Sequence, residues 1–184
     1  GFSENGIHSV KLRLISVDGE NDAFAGNDTT STNVKVMDAV PQQRFVVEEG
    51  TGTWCGWCPL GIVGLNGMAK KYPETFIGIA VHKQDKLETS SYSKLSFSGY
   101  PSCYINRDLS NVAKPEFASL EASHNKAVSK SPRVGMEIKA HFVGNNKNKI
   151  KAVASASFFA AQTSVDYKIS FVLVENGIEG YYQA

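Results

Sequence analysis

Near the start of the chain, apolar and polar positions alternate in two separate stretches. Val10, Leu12 and Leu14 interleave with Ser9, Lys11 and Arg13, and Asn33-Val34-Lys35-Val36-Met37 repeats the rhythm. A period of two is the signature of a strand with one buried face. Asp18-Gly19-Glu20-Asn21-Asp22 and Gly26-Asn27-Asp28-Thr29 supply turn chemistry between them. Two strands do not hold a sheet together unaided, so residues 1–40 are expected to complete a β structure that begins upstream. The chain opens on Gly1 rather than Met, as a trimmed or recombinant start would.

From Pro41 the pattern changes. Residues 44–49 predict a short strand, and a loop at residues 51–59 leads into a helix over about 58–72. Residues 75–81 are a continuous apolar run of strand length, which predicts a strand buried on both faces. Residues 85–97 are polar and Ser-rich and are expected to be helical. Residues 102–106 predict another strand, Arg107-Asp108 a turn, and residues 115–129 a helix with Pro115 in its first turn. The order β-α-β-α-β-(β)-α makes residues 41–131 an α/β layer structure.

Alternation returns at Val134, Met136, Ile138 and Ala140, and Gly144-Asn145-Asn146-Lys147-Asn148 predicts a hairpin turn. Residues 150–160 and 167–174 are the strands expected to follow. Residues 132–184 thus form a second β-rich flank, expected to be cut short at its end.

Composition removes several classes. With 184 residues, 42% of them hydrophobic and 20% charged, the chain can bury a core, which excludes wholesale disorder. The 19 Lys and Arg balance 18 Asp and Glu without forming a basic stripe, which argues against a nucleic-acid partner. No apolar run approaches the ~18 residues of a membrane-spanning helix. The 3 cysteines are too few for a disulfide scaffold, and their odd number leaves at least one unpaired.

The chemistry concentrates at Cys55-Gly56-Trp57-Cys58, between an apolar strand and a helix. Two intervening residues let the sulfurs close a small ring. A cysteine at a helix N-terminus has its thiolate favoured by unpaired N–H groups and the helix dipole. On this reading Cys55 is the nucleophile, and Cys58, one turn further, resolves the mixed disulfide. A zinc site would need two more ligands, but the chain has no second CxxC and His82, His124 and His141 stand singly, so no metal is expected. A purely structural Cys55–Cys58 bond is the more serious rival, although so short a ring constrains the unfolded chain little.

Trp54-Cys55-Gly56-Trp57-Cys58-Pro59 resembles the W-C-x-x-C active-site loop of the thioredoxin superfamily. Gly99-Tyr100-Pro101-Ser102 matches a second feature, since the corresponding proline of that superfamily is cis, lies against the dithiol and exposes main-chain groups to substrate. The resemblance also implies a buried acid beneath the dithiol that takes and returns the proton of Cys58. Spacing selects Glu49 for it, although strand parity alone leaves Glu48 open. Trp54, Trp57, Tyr100 and Pro101 would form the rim that receives a peptide. One departure is that Trp57 and Pro59 stand where common thioredoxins have Pro and Lys.

The longer run of residues 48–59, continued by Gly61-Ile62-Val63-Gly64, resembles thioredoxin-like, outer-membrane-protein-related lipoproteins of bacterial envelopes. In those proteins the redox-type domain lies between β-rich modules, and residues 1–40 resemble the last strands of an immunoglobulin-like sandwich. The resemblance implies an α/β thioredoxin-like domain at 41–131 flanked by β-rich, sandwich-type segments. It further implies an extracytoplasmic location, in the periplasm or at the outer membrane, with a lipid anchor upstream. The implied activity is thiol–disulfide exchange on protein or peptide thiols, without an organic cofactor. The competing function is a redox-inactive envelope binding module that keeps the fold as scaffold. Cys103 is expected to be a small core residue on a strand. Gly61, Gly64 and Gly67 are expected to let the first helix pack closely on the sheet, and His82 to be a hydrogen-bonded structural residue.

Overall fold

The structure, a computed structural model, describes residues 2–20, 24, 26–37, 41–92, 94–146, 148–159 and 166–184. Gly1, the turn residues Asn21 and Asp22, Ser93, Lys147 and Ala160, to which the sequence expectations extended, lie outside the described residues. In chain order the elements are β1 (Gly6–Arg13), β2 (Thr29–Val36), β3 (Phe45–Thr51), α1 (Pro59–Lys71), β4 (Phe76–His82), β5 (Ser102–Ile105), β6 (Asp108–Ala113), α2 (Phe117–Val128), β7 (Val134–Val143) and β8 (Lys149–Phe158). The described residues are therefore mixed α/β and rich in sheet, with 2 α-helices. They fall into two compact units, Gly1–Pro41 with Pro132–Tyr167, and Gln42–Ser131 with Lys168–Ala184.

The first unit consists of two antiparallel hairpins. In β1–β2, Gly6 faces Val36 and Arg13 faces Thr29; in β7–β8, Val134 faces Phe158 and Val143 faces Lys149. The Lys35 ammonium donates to the Phe158 carbonyl at 3.1 Å and so joins the second strand of each hairpin. Gly144 opens the β7–β8 turn with φ +81°, a conformation that suits a residue without Cβ.

The second unit is built on a four-stranded sheet in the order β4-β3-β5-β6. β3 and β4 run parallel, as two strands joined through the helix α1 can, while β5 lies antiparallel on the other side of β3. The β5–β6 hairpin turns at Asn106 and Arg107, both at positive φ (51° and 56°), the backbone of a tight primed turn. Phe45, Val47, Cys103 and Ile105 point to one face and pack with Phe76, Leu65 and Met68 of α1, and Leu120 of α2. Alternation sends Glu48 and Tyr104 to the opposite face. There Tyr92 and Phe97 cover them: the Tyr92 hydroxyl donates to Glu48, Phe97 stacks on Tyr104 at 5.0 Å, and its ring fills the space beside Gly50.

Four expectations need correction. Among the described residues of 85–97 there is no α-helix, only a 3-10 turn at Ser90–Tyr92. Short polar side chains take the backbone donors locally: Asp85 accepts the Leu87 N–H at 2.9 Å, Glu88 the Gln84 N–H at 2.7 Å, and Thr89 the Ser91 N–H at 3.4 Å. The apolar run in β4 is not buried on both faces, because β4 is the edge of the sheet and Ile77 stays exposed; β3 holds the enclosed position instead. The glycines of α1 serve close packing, but mainly against the second helix: a methyl on Gly64 would strike the Pro115 carbonyl, and one on Gly67 the Phe117 ring. Residues 167–174 have strand composition, yet they pair with no strand among the described residues. β-branched residues favour a strand only where a ladder partner is available.

Candidate functional site at the dithiol loop

β3 ends at Thr51 and α1 begins at Pro59, so residues 52–58 cross from sheet to helix. Pro59 cannot donate a main-chain hydrogen bond and its fixed φ suits a first helical residue, which sets the helix start. Cys58 is consequently the N-cap. Cys55 stands one turn ahead, in a turn closed by the Cys58 N–H on the Cys55 carbonyl at 3.1 Å, rather than at the helix start where it was expected. The dipole falls off within the first turn, so it bears more directly on Cys58.

Cys55 and Cys58 form a disulfide with their Cα atoms 5.4 Å apart. Cys58 is fully buried and Cys55 is 5% exposed. Asp85 fixes the approach to this loop. Its Oδ2 accepts the Thr53 N–H at 2.8 Å and lies 2.7 Å from Nδ1 of His82, which gives His82 the structural role expected of it. Burial opposes ionisation of Asp85, but the His82 ring and the N–H groups of Thr53 and Leu87 outweigh it and hold its carboxyl below the usual range.

Both acids at the end of β3 are buried, since the sheet is covered on both faces there. Glu48 pairs with the Arg107 guanidinium through Nε and Nη2 and accepts from the Tyr92 hydroxyl at 3.0 Å. Glu49 lies on the helix face against Gly61, one turn inside the helix that Cys58 caps. Neither of its carboxylate oxygens has a hydrogen-bond partner among the described residues. Burial raises its pKa to about 7. Cys103 faces Glu49 across the ladder, and burial, reinforced by the charges of Glu49 and Glu116, pushes its thiol up to about 12. Parity had left open which acid lies beneath the dithiol. Glu48 is a paired acid, and Glu49 is one without a hydrogen-bond partner among the described residues.

Three of the four rim residues come together. Gly50 faces Ser102 across the ladder, so Tyr100 and Pro101 emerge at the same end of the sheet as the dithiol loop, and the peptide bond joining them is cis. Trp54 donates through Nε1 to the Lys83 carbonyl at 2.8 Å and meets Tyr100 edge-on, ring centroids 5.2 Å apart. Trp57 instead projects into solvent, 75% exposed, at the head of an apolar strip continued by Leu60 and Val63 on α1.

Two residues that pattern reading missed belong to this loop. Asp85 carried no signal, because a single acid after a strand is ordinary. Gln183 is the other: its carboxamide donates to the carbonyls of Gly52 at 2.7 Å and Cys55 at 2.9 Å, and the next N–H, of Ala184, donates to the Thr53 carbonyl at 2.7 Å.

No family model matches the chain, and none of the curated proteins matches it. Among solved structures, HBP35 of Porphyromonas gingivalis is similar over part of its length, with 20% sequence identity and a TM-score of 0.41. The matched region covers 54% of this chain and 37% of that one, so this chain corresponds to little more than a third of its neighbour.

Proposed function

We propose that this chain exchanges thiols and disulfides with protein or peptide partners through Cys55 and Cys58, in a thioredoxin-like domain spanning about residues 41–131. The reading extends to an envelope protein of the outer-membrane lipoprotein type, acting outside the cytoplasm. The observation that carries it is the Cys55–Cys58 disulfide at a strand-to-helix crossing, together with a buried carboxyl that lies against Gly61 of the helix Cys58 caps, has no hydrogen-bond partner among the described residues and is held near neutrality. A structural staple has no need of such an acid. A dithiol does, because the inner thiol must lose a proton to attack and regain it when the ring reopens.

In the reduced protein, the Cys55 thiolate attacks one sulfur of a partner disulfide. A Cys55–partner disulfide forms and the other partner sulfur leaves as a thiolate. Glu49 takes the proton of Cys58, whose thiolate then attacks the Cys55 sulfur. This closes the Cys55–Cys58 bond and releases the second partner thiolate, and each released thiolate takes up a proton. Two partner thiols are made and two protein thiols are oxidised, so electrons balance. The same steps in reverse oxidise a partner dithiol. Cys55 is the attacking residue because it is the less buried of the pair. Trp54, Tyr100 and Pro101 supply one wall of the peptide site and Trp57 an exposed apolar one.

The test is insulin reduction driven by dithiothreitol, comparing wild type with Cys55→Ser. The variant should fall to the uncatalysed rate. Cys58→Ser should accumulate a mixed disulfide on Cys55, whereas Cys55→Ser should trap none. Equal insulin reduction by wild type and Cys55→Ser would leave the chain a binding module that keeps the bond as a staple.

A further inference from the structure

The edge of the dithiol loop is a row of main-chain acceptors, and part of this chain already sits on it. The carbonyls of Gly52 and Cys55 each accept one bond from within the loop, from the N–H of Cys55 at 3.0 Å and of Cys58 at 3.1 Å. Each carbonyl oxygen has a second lone pair. One carboxamide, that of Gln183, bridges both second positions, and the Ala184 N–H takes the Thr53 carbonyl between them. Three acceptors in a row select donors. An NH2 group can serve two of them at once, a carboxylate can serve none, and only the nitrogen side of a carboxamide can face them. Cys55, the less buried residue of the pair, is 5% exposed with Gln183 lying on its main chain.

We propose that the carbonyl edge of Gly52, Thr53 and Cys55 is a docking ledge for a peptide segment offering a carboxamide side chain followed by a main-chain N–H, and that Gln183 and Ala184 occupy it until a partner displaces them. That a partner brings its disulfide to this ledge rests on the thiol-exchange reading; the occupied ledge itself does not. The ledge adds a polar, direction-setting contact to the apolar rim. It selects segments with Gln at the docking position over segments with Glu there, which differ in a single group.

The experiment uses the full oxidised chain and measures the rate at which dithiothreitol reduces the Cys55–Cys58 bond, together with hydrogen exchange at the Ala184 amide. In wild type the Ala184 amide should be protected and reduction slow. In Gln183→Glu the amide should exchange as in a free peptide, and reduction should speed up by at least about fivefold, the factor that one net hydrogen bond is worth, since more than one is lost. The blocked peptide Tyr-Tyr-Gln-Ala, added at millimolar concentration to Gln183→Glu, should slow reduction again, and Tyr-Tyr-Glu-Ala should not. An unprotected Ala184 amide in wild type, equal reduction rates in the two proteins, or equal effects of the two peptides would overturn the ledge. These outcomes are separable from the enzymatic reading. A chain inactive on insulin but showing these differences keeps the ledge and loses the exchange activity; an active chain indifferent to Gln183→Glu does the reverse.

Discussion

Glu49 and Cys103 face each other across the β3–β5 ladder, both fully buried, the one a carboxyl without a hydrogen-bond partner among the described residues and the other a thiol. Burial opposes ionisation of both, and the Glu49 charge further disfavours a thiolate at Cys103. The pair is therefore most stable when both groups keep their protons. Above pH 7 the fold carries a desolvated carboxylate beside the helix that Cys58 caps.

Stability should therefore fall as pH rises through a defined window. The folded pKa of Glu49, about 7, lies above its ordinary 4.5. Below that ordinary value both states hold the proton and the group contributes nothing. Between the two values the unfolded chain releases the proton first, so raising the pH favours unfolding, and above 7 the loss levels off at about 3 kcal/mol. Glu49→Gln should remove this dependence. Urea titrations followed by tryptophan fluorescence should show the variant more stable than wild type at pH 8 and matched to it at pH 4. Insulin reduction by the same variant should drop by about tenfold or more, since the proton acceptor is gone. A variant no more stable at pH 8 contradicts the burial of an unpartnered charge.

Gly61 and Glu49 compete for one volume. A methyl placed on Gly61 would land on the Glu49 carboxylate. Alanine favours the helix by about 1 kcal/mol, whereas overpacking a rigid site costs about 1–3 kcal/mol. Gly61→Ala should destabilise on balance. In the Glu49→Ala background the carboxylate is absent, and the same change should become neutral or stabilising. A double-mutant cycle in urea should therefore give a coupling of at least about 1 kcal/mol, and additive effects would show that the two residues do not share space.

On the other face of the sheet, Glu48 depends on Arg107. The carboxylate is buried and the guanidinium is half exposed, so removing the arginine strands a charge that cannot reach water. Loss of one partner of a buried pair costs about 3–5 kcal/mol. Arg107→Met should fall at the lower end, because the Tyr92 hydroxyl still donates to Glu48. Glu48→Gln combined with Arg107→Met should recover most of the loss. Thermal unfolding of the single and double variants would check this, and a double variant as unstable as Arg107→Met would contradict it.

These couplings mark where pattern reading succeeds and where it stops. Most of the strands, both described helices and the closely spaced pair of cysteines are local features: alternation, a proline at a helix start and a two-residue spacing are properties of neighbouring residues. The composition of residues 85–97 allows a helix, but Asp85, Glu88 and Thr89 spend their side chains on nearby N–H groups. Parity could not separate Glu48 from Glu49, because it assumes one open face and this strand has none. Gln183 was invisible for a different reason. It lies 128 residues from Cys55, and nothing about a lone glutamine announces which carbonyl it will meet.

The three thiols should react in a fixed order, and the slowest of them reports on the whole fold. In the reduced protein, iodoacetamide should label Cys55 first, since it is the less buried partner of Cys58. Cys103 is enclosed between sheet and helices, with its thiol pushed up to about 12, so at pH 8 almost none of it is thiolate in the folded state. Its labelling must pass through unfolding. For an ordinary domain stability, that makes it about 10⁴-fold slower than a free thiol, or slower still. The rate should then follow stability rather than thiol chemistry. Glu49→Gln, which removes the buried charge, should slow Cys103 labelling at pH 8 and leave it unchanged near pH 4. Gly61→Ala should accelerate it, and Gln183→Glu should leave it alone while changing the reactivity of the Cys55–Cys58 bond. Mass spectrometry of timed samples resolves all three sites in one experiment. Labelling of Cys103 as fast as Cys55 would mean that the core around Glu49 opens without global unfolding, and the pH dependence assigned to that carboxyl would fail with it.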